Sequence, residues 1–156
     1  MSFEKAKKFL DEKGFGDRVS EFHVSSATVA LAASAVGCET SHIAKSLSFK
    51  VGDKAIIIVT AGDKRINNRK FKLAFGSKAK MLNSDEVESL IGHSIGGVCP
   101  FGINSGVKVY IDVSLKRFDY IYPACGSANS AVKLSPEELE NIVDGAEWVD
   151  VCVQFT

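Results

Sequence analysis

The chain has 156 residues, 46% of them apolar, with 19 Lys/Arg balanced by 19 Asp/Glu, which suits a single domain over residues 1–156 with its own hydrophobic core. No apolar run approaches the ~18 residues that cross a bilayer, and no apolar segment with a cleavage site follows the N-terminus, so neither a membrane span nor a signal peptide is expected. Cys38, Cys99, Cys125 and Cys152 are scattered, without a C-x-x-C pair or a Cys/His cluster; free thiols in a reducing cytoplasm are expected, with no disulfide framework, metal or organic cofactor.

Residues 2–13 have a helical pattern, with Phe3, Ala6, Phe9 and Leu10 on one side and Gly14 and Gly16 ending it. A short strand is expected over 19–24. Residues 26–36 form an alanine-rich helix stopped by Gly37, apolar all round, as befits a buried helix or one lining a pocket. Strands over 42–51 and 54–61 are joined by a turn at Gly52-Asp53. In the first of these strands, alternation places Lys45 with Ile43, Leu47 and Phe49, on the face expected to pack into a core. A helix over 67–75 is basic on its outer side. Asn83-Ser84-Asp85-Glu86 is a capping box for a helix running to about residue 91. A loop over 92–106 follows, then strands over 107–113, 119–123 and 131–134. Ser135-Pro136-Glu137-Glu138 starts a last helix, stopped by Gly145, and a final strand spans 148–155. Short helices interspersed with strands, without regular alternation, predict an α+β fold with a mixed, largely antiparallel sheet and flanking short helices. Neither G-x-G-x-x-G nor G-x-x-x-x-G-K-[ST] is present, which argues against a doubly wound nucleotide-binding fold.

Charge is unevenly spread. Residues 42–80 hold ten Lys/Arg against two Asp/Glu, whereas residues 135–156 hold six acidic residues and no basic ones. A basic middle segment suits a phosphate-bearing partner; alternatively, tail and middle neutralise each other in the fold. An inward Lys45 needs an anion, from the protein or from a ligand, unless its stem packs while its head reaches water. The loop Gly96-Gly97-Val98-Cys99-Pro100-Phe101-Gly102 offers unobstructed amides for an anion or a developing oxyanion, or is simply a tight connection. Gly126-Ser127 is a further glycine turn that could face the same space. Among His23, His42 and His93, none forms a recognisable local signature with Cys99, the best-placed thiol. Asp112 reads as a structural hydrogen-bonder. With no paired carboxylates and no evident general base, an enzyme of this sequence would need a substrate that supplies its own reactive group.

The stretch from Ser26 to Gly37, Ile43-Ala44-Lys45-Ser46-Leu47, the Gly96–Gly102 loop, Val109-Tyr110-Ile111-Asp112 and Gly126-Ser127 together resemble the YbaK/aminoacyl-tRNA-editing family. That family includes the editing domain inserted in bacterial prolyl-tRNA synthetase and its free-standing relatives. The resemblance covers nearly the whole chain. It implies an editing-domain fold and a cytoplasmic aminoacyl-tRNA deacylase that removes a wrong amino acid from the tRNA 3′ adenosine in trans. Lys45 matches the family's essential strand lysine. Gly96, Gly97 and Pro100 match the loop that contacts the ester, Gly126 and Ser127 a turn bordering the pocket, and Thr28 a position at its mouth. Ser46 joins them as a substrate contact, with Leu47, Val29 and Phe101 expected to set the pocket's size. Cys99 departs from the small residue frequent there. Lys64, Arg65, Arg69 and Lys70, with Lys72, Lys78 and Lys80, are expected to carry the acceptor stem. Attack would come from a water oriented by the ribose hydroxyl, or from a cysteinyl substrate's own thiol. Cys- or Ala-tRNA-Pro are the expected substrates ahead of Ser, because a small apolar pocket excludes by size and discriminates poorly among small side chains. Prolyl-tRNA synthetase is a candidate docking partner, and the protein is expected to be a monomer or weak dimer. Two other readings stand beside this one: a non-catalytic module that binds an amino acid or charged tRNA, and a hydrolase using Cys99.

Overall fold

The longest pairing in the computed structural model, which describes residues 2–155, is the antiparallel hairpin of β2 (Ile43–Val51) and β3 (Lys54–Ala61). It runs from Ala44 opposite Ala61 to Val51 opposite Lys54. β5 (Lys108–Asp112) pairs parallel with β3, β8 (Glu147–Val149) parallel with β5, and β6 (Tyr122–Pro123) parallel with the start of β2. The result is a five-stranded sheet in the order β6-β2-β3-β5-β8. Two small antiparallel sheets complete the fold: β1 (Val19–Glu21) with β7 (Ser130–Val132), and β4 (Lys64–Ile66) with β9 (Cys152–Gln154). The α+β class and the mixed sheet are as expected. Antiparallel pairing is found in the hairpin, the small sheets and two isolated bridges (Phe49 with Met81, Ile121 with Leu134), and the other three strand pairings of the central sheet are parallel.

Both faces of the central sheet are covered, and alternation decides which residue meets which layer. Ala44, Ile57, Val59, Val109 and Ile111 face the larger core, with Ala6 and Leu10 of α1 (Ser2–Glu12) and Leu139 and Ile142 of α5 (Pro136–Ile142). Phe49, Ile56 and Ile58 face a smaller cluster with Phe71 of α3 (Asn68–Phe75), Val151 and Cys152. Lys45, Leu47 and Phe49 share this second face, so the face holding Lys45 packs as expected, but against the smaller layer. Ile43, at the strand's start, packs on Ala32 and Ala33 of α2 (Val29–Val36).

Local signals hold well at helix starts. Both capping boxes form, at Asn83 and at Ser135, with Pro136 in the first turn. The first opens α4 (Ser84–Glu86), which continues as a π-helical turn over Val87–Ile91. α2 begins three residues later than its alanine pattern suggests. Thr28 caps it by accepting a hydrogen bond from the Leu31 amide, and the Ser26 amide is held by the Ala128 carbonyl. α5 ends at Ile142, before Gly145. The expected last strand is two. The Val151 amide donates to Asp112 Oδ1 (2.9 Å) and the Asn67 amide to the Val151 carbonyl (2.8 Å), so the chain leaves the central sheet after β8 and joins β4 instead.

Asp112 is 1% exposed and accepts from both the Ser114 and Val151 amides (2.9 Å each). Asp112→Ala would leave one buried and one part-buried donor unsatisfied, and a loss of about 3 kcal/mol is expected. A lowered urea midpoint at unchanged slope would register it.

Candidate active site

The outer edge of β2 is paired at both ends and open in the middle. β6 covers Ile43 and Ala44. At the far end, the Lys50 amide donates to the Lys80 carbonyl (2.9 Å) and the Leu82 amide to the Ser48 carbonyl (3.2 Å). Backbone groups of alternate residues point to the same edge, so Ser46, two before Ser48, turns its amide and carbonyl into the gap. A cavity of about 370 Å³ fills this gap. Thr28 and Val29 line it from α2, Lys45, Ser46 and Leu47 from β2, Met81 and Val87 from the following segment, and Ile95 and Gly96 from the glycine loop. No Asp, Glu or His is among its lining residues. The Ser26 and Ser46 hydroxyls, both on lining residues, are buried and have no hydrogen-bond partner among the described residues.

Lys45 is half-buried, and among the described residues it is in no ion pair. Its ammonium donates to the Lys64 carbonyl (2.6 Å) and lies 4.8 Å from the centroid of the Phe155 ring. Burial holds its pKa below the ordinary lysine value. Among the described residues, the cation expected to need an anion thus rests on a carbonyl and a ring. The turn carrying Lys64 is fixed by Arg117, whose guanidinium donates twice to Asp63 (2.7 and 3.0 Å). That fork holds the Asp63 carboxyl below its usual range.

The two glycine turns touch each other. A Cβ on Gly97 would fall 2.5 Å from the Gly126 carbonyl oxygen, so only glycine fits. Gly97 is buried and its amide donates to the Ser94 carbonyl (3.0 Å), leaving it no free donor. Gly96 is exposed, at φ +89°, and borders both the β2 cavity and a second hollow of about 400 Å³ lined by Gly97, Gly126 and Ser127. Ser127 shares a hydrogen bond with Ser130 (2.6 Å), and Ser130 reaches the β2 cavity. The structure therefore brings Thr28, Val29, Lys45, Ser46, Leu47 and Gly96 to one cavity, with Gly97, Gly126 and Ser127 behind it.

Pro100 and Phe101 stand elsewhere. Both are buried, and Phe101 packs on Phe9 (centroids 6.0 Å apart) in the larger core. Their apolar character serves packing, and neither lines the cavity. Cys99 is fully buried and its thiol is pushed up to about 12 by desolvation. His93 Nε2 lies 2.7 Å from the Phe101 carbonyl, which ties it up as a donor and leaves it unable to accept the thiol proton. Full burial and a raised thiol pKa do not suit Cys99 to the role of nucleophile. Among the described residues no group of three His, Cys, Asp or Glu could hold a metal.

In the basic segment, Arg65 and Arg69 are exposed. Lys70 is spent internally, on Asp150 (3.1 Å) and the Cys152 carbonyl (3.0 Å), and Lys64 contributes its carbonyl to Lys45. Met81, Ile95 and Phe155 escaped the sequence reading. Nothing local marks them: Ile95 is 63% exposed at the cavity rim only in the fold, and Met81 and Phe155 acquire their places through pairing of distant segments.

A family model described as the aminoacyl-tRNA editing domain matches residues 23–142. Protein YwhH of Bacillus subtilis (strain 168), uncharacterized, is 49% identical over 153 residues, covering 97% of this chain and 98% of that one. A proline–tRNA ligase of Bacillus cereus (strain AH820) is 28% identical over 104 residues, 64% of this chain but 18% of the ligase. Among solved structures, a candidate trans-editing enzyme for prolyl tRNA synthetase superimposes with a TM-score of 0.88 at 30% identity, covering 99% of this chain and 98% of that one. The hypothetical protein APE2540 gives 0.84 at 26% identity, covering 96% and 99%.

Two substitutions test the scaffold. Gly97→Ala should cost about 2 kcal/mol or more, because backbone rather than a flexible side chain is in the way, measurable by thermal melting. Arg117→Met should lower stability by up to about 1 kcal/mol at neutral pH. Because the Asp63 pKa is depressed in the fold, that difference exists above the ordinary carboxylate pKa and closes as pH falls from about 4 through the folded value. Urea melts of both proteins at pH 7 and pH 3 would read the closure.

Proposed function

Since the chain belongs to the aminoacyl-tRNA editing domain family, we propose that it is a trans-acting deacylase that hydrolyses the ester of a mischarged tRNA, with Lys45 at the reacting end of the β2 cavity. One observation carries the reading: Lys45, half-buried and in no ion pair among the described residues, lines a cavity otherwise lined by apolar and hydroxyl groups. Such a cation attracts a phosphate or the oxyanion formed when an ester carbonyl is attacked, and in a desolvated site its field is strong. The Gly96 amide, on the cavity's rim, suits the same oxyanion. The Gly97–Gly126 contact keeps that rim in place, and Ser46 offers its backbone edge to the aminoacyl group.

Because no carboxylate or imidazole lines the cavity, the proton acceptor is assigned to the substrate. The free ribose hydroxyl of the terminal adenosine orients a water for attack on the carbonyl carbon. A tetrahedral intermediate forms, the ester C–O bond breaks, and the released ribose oxygen takes the proton. In a cysteinyl substrate the thiol can instead attack the same carbonyl: the ester C–O bond breaks, the released ribose oxygen takes the thiol proton, and water then opens the thiolactone. Val29 and Leu47, on the cavity wall, set the size of the side chain admitted, and Ala or Cys on tRNA-Pro fit that small space. The exposed Arg65 and Arg69 take the phosphates of the acceptor stem. Prolyl-tRNA synthetase is the proposed source of the mischarged tRNA, and the cytoplasm the place of action.

The test is a deacylation panel with tRNA-Pro charged separately with Ala, Cys, Ser and Pro. One mischarged species should be lost rapidly. Lys45→Ala should lower that rate about a hundredfold or more while its circular dichroism stays native, and Cys99→Ser should leave it within about twofold. Tight binding of charged tRNA with every ester left intact would replace the deacylase with a binding module.

A further inference from the structure

We propose that Phe155 is a positioning residue for Lys45: its ring, together with the Lys64 carbonyl, fixes the ammonium from behind without neutralising it. The inference rests on the reading of Lys45 as the reacting cation. Two adjacent strands deliver these partners. β4 and β9 pair with Lys64 opposite Gln154, so the Lys64 carbonyl and Phe155, the residue that follows β9, converge on the same ammonium. The backrest is held from both sides. The Phe155 amide donates to the Asp63 carbonyl (3.5 Å), and Asp63 is clamped by the Arg117 fork. β9 is held by Lys70 on the Cys152 carbonyl (3.0 Å) and on Asp150 (3.1 Å).

The chemistry of the partners is the point. A carboxylate at this position would satisfy Lys45 and cancel the charge that a developing oxyanion needs. A ring face attracts a cation through its quadrupole and accepts no conventional hydrogen bond. A single carbonyl occupies one of the three ammonium donors. Among the described residues, two donors and the positive charge are thereby left for a ligand. Packing alone does not account for Phe155, which is 58% exposed, so its substitution is expected to be tolerated by the fold.

The experiment compares Phe155→Leu, which keeps an apolar side chain but has no ring face, with Phe155→Trp, which keeps the ring face. Lys45 is followed in two ways. Trace acetylation of its amine across pH, read by mass spectrometry, gives the titration of Lys45 with no substrate present. Deacylation kinetics give kcat, KM and the alkaline limb of the pH profile. For Phe155→Leu, the cation loses its ring, so Lys45 should titrate about half a pH unit lower. The alkaline limb should move with it, and kcat should fall roughly two- to fivefold with KM unchanged. Phe155→Trp should restore both. A labelling curve in Phe155→Leu that superimposes on the parent's would overturn the proposal. So would an equal loss in Phe155→Trp, which would mark a purely steric role. If the parent protein hydrolyses no aminoacyl-tRNA, the deacylase reading fails, while the labelling curves still decide the role of Phe155.

Discussion

The open stretch in the edge of β2 is the constraint on which the site depends. A strand carries donors and acceptors along both edges, and those out of water need partners. β6 satisfies one end of this edge and residues 80–82 the other, so only Lys45–Leu47 are left to face a ligand. Everything else in the site is arranged around that gap. α2 closes it from one side, and the glycine loop closes it from the other. A longer β6 would extend the ladder and fill the cavity.

The same gap explains why Lys45 is tolerated. Its strand is covered on both faces, so an ammonium here loses hydration whichever way it points. The fold answers with neutral dipoles and a ring rather than with an acid. Acids are near at hand: Asp63 adjoins Lys64, and Asp150 lies on the neighbouring segment. Both are committed elsewhere, to Arg117 and to Lys70. Both acids are thus engaged by other cations, and among the described residues Lys45 is in no ion pair.

The glycine loop divides into residues with different duties. Gly97 is excluded from chemistry by its own contact, because its amide is spent and its α-carbon abuts Gly126. Gly96 is left at the rim with its backbone exposed. Pro100 and Phe101, four and five residues past Gly96, anchor the loop in the core. A rim that carries no side chain of its own is held rigid by neighbours that never reach the cavity.

Much of this was legible in the residues. Capping boxes at Asn83 and Ser135, the Gly52 turn and the alternation of β2 are local, and the forces behind them act within a few residues, so they survive in any tertiary setting. Lys45 could be singled out because an ammonium on an apolar face conflicts with its own pattern. Other features were beyond local reading. Phe101 and Ile95 are both apolar residues of one loop, yet one is core and the other rim, and only the packing of α1 decides which. Lys70 and Arg69 are neighbours in a basic run, yet one is paired with a residue eighty positions away. The final alternating stretch reads as one strand, but Asp112 holds its midpoint and divides it between two sheets. The sequence by itself determined the element types, the α+β class and the lysine around which the chemistry is built, because those follow from periodicity and short-range hydrogen bonds. The tertiary structure alone decided which partners that lysine has, since Lys64 and Phe155 meet it only after two strands distant in the chain have paired.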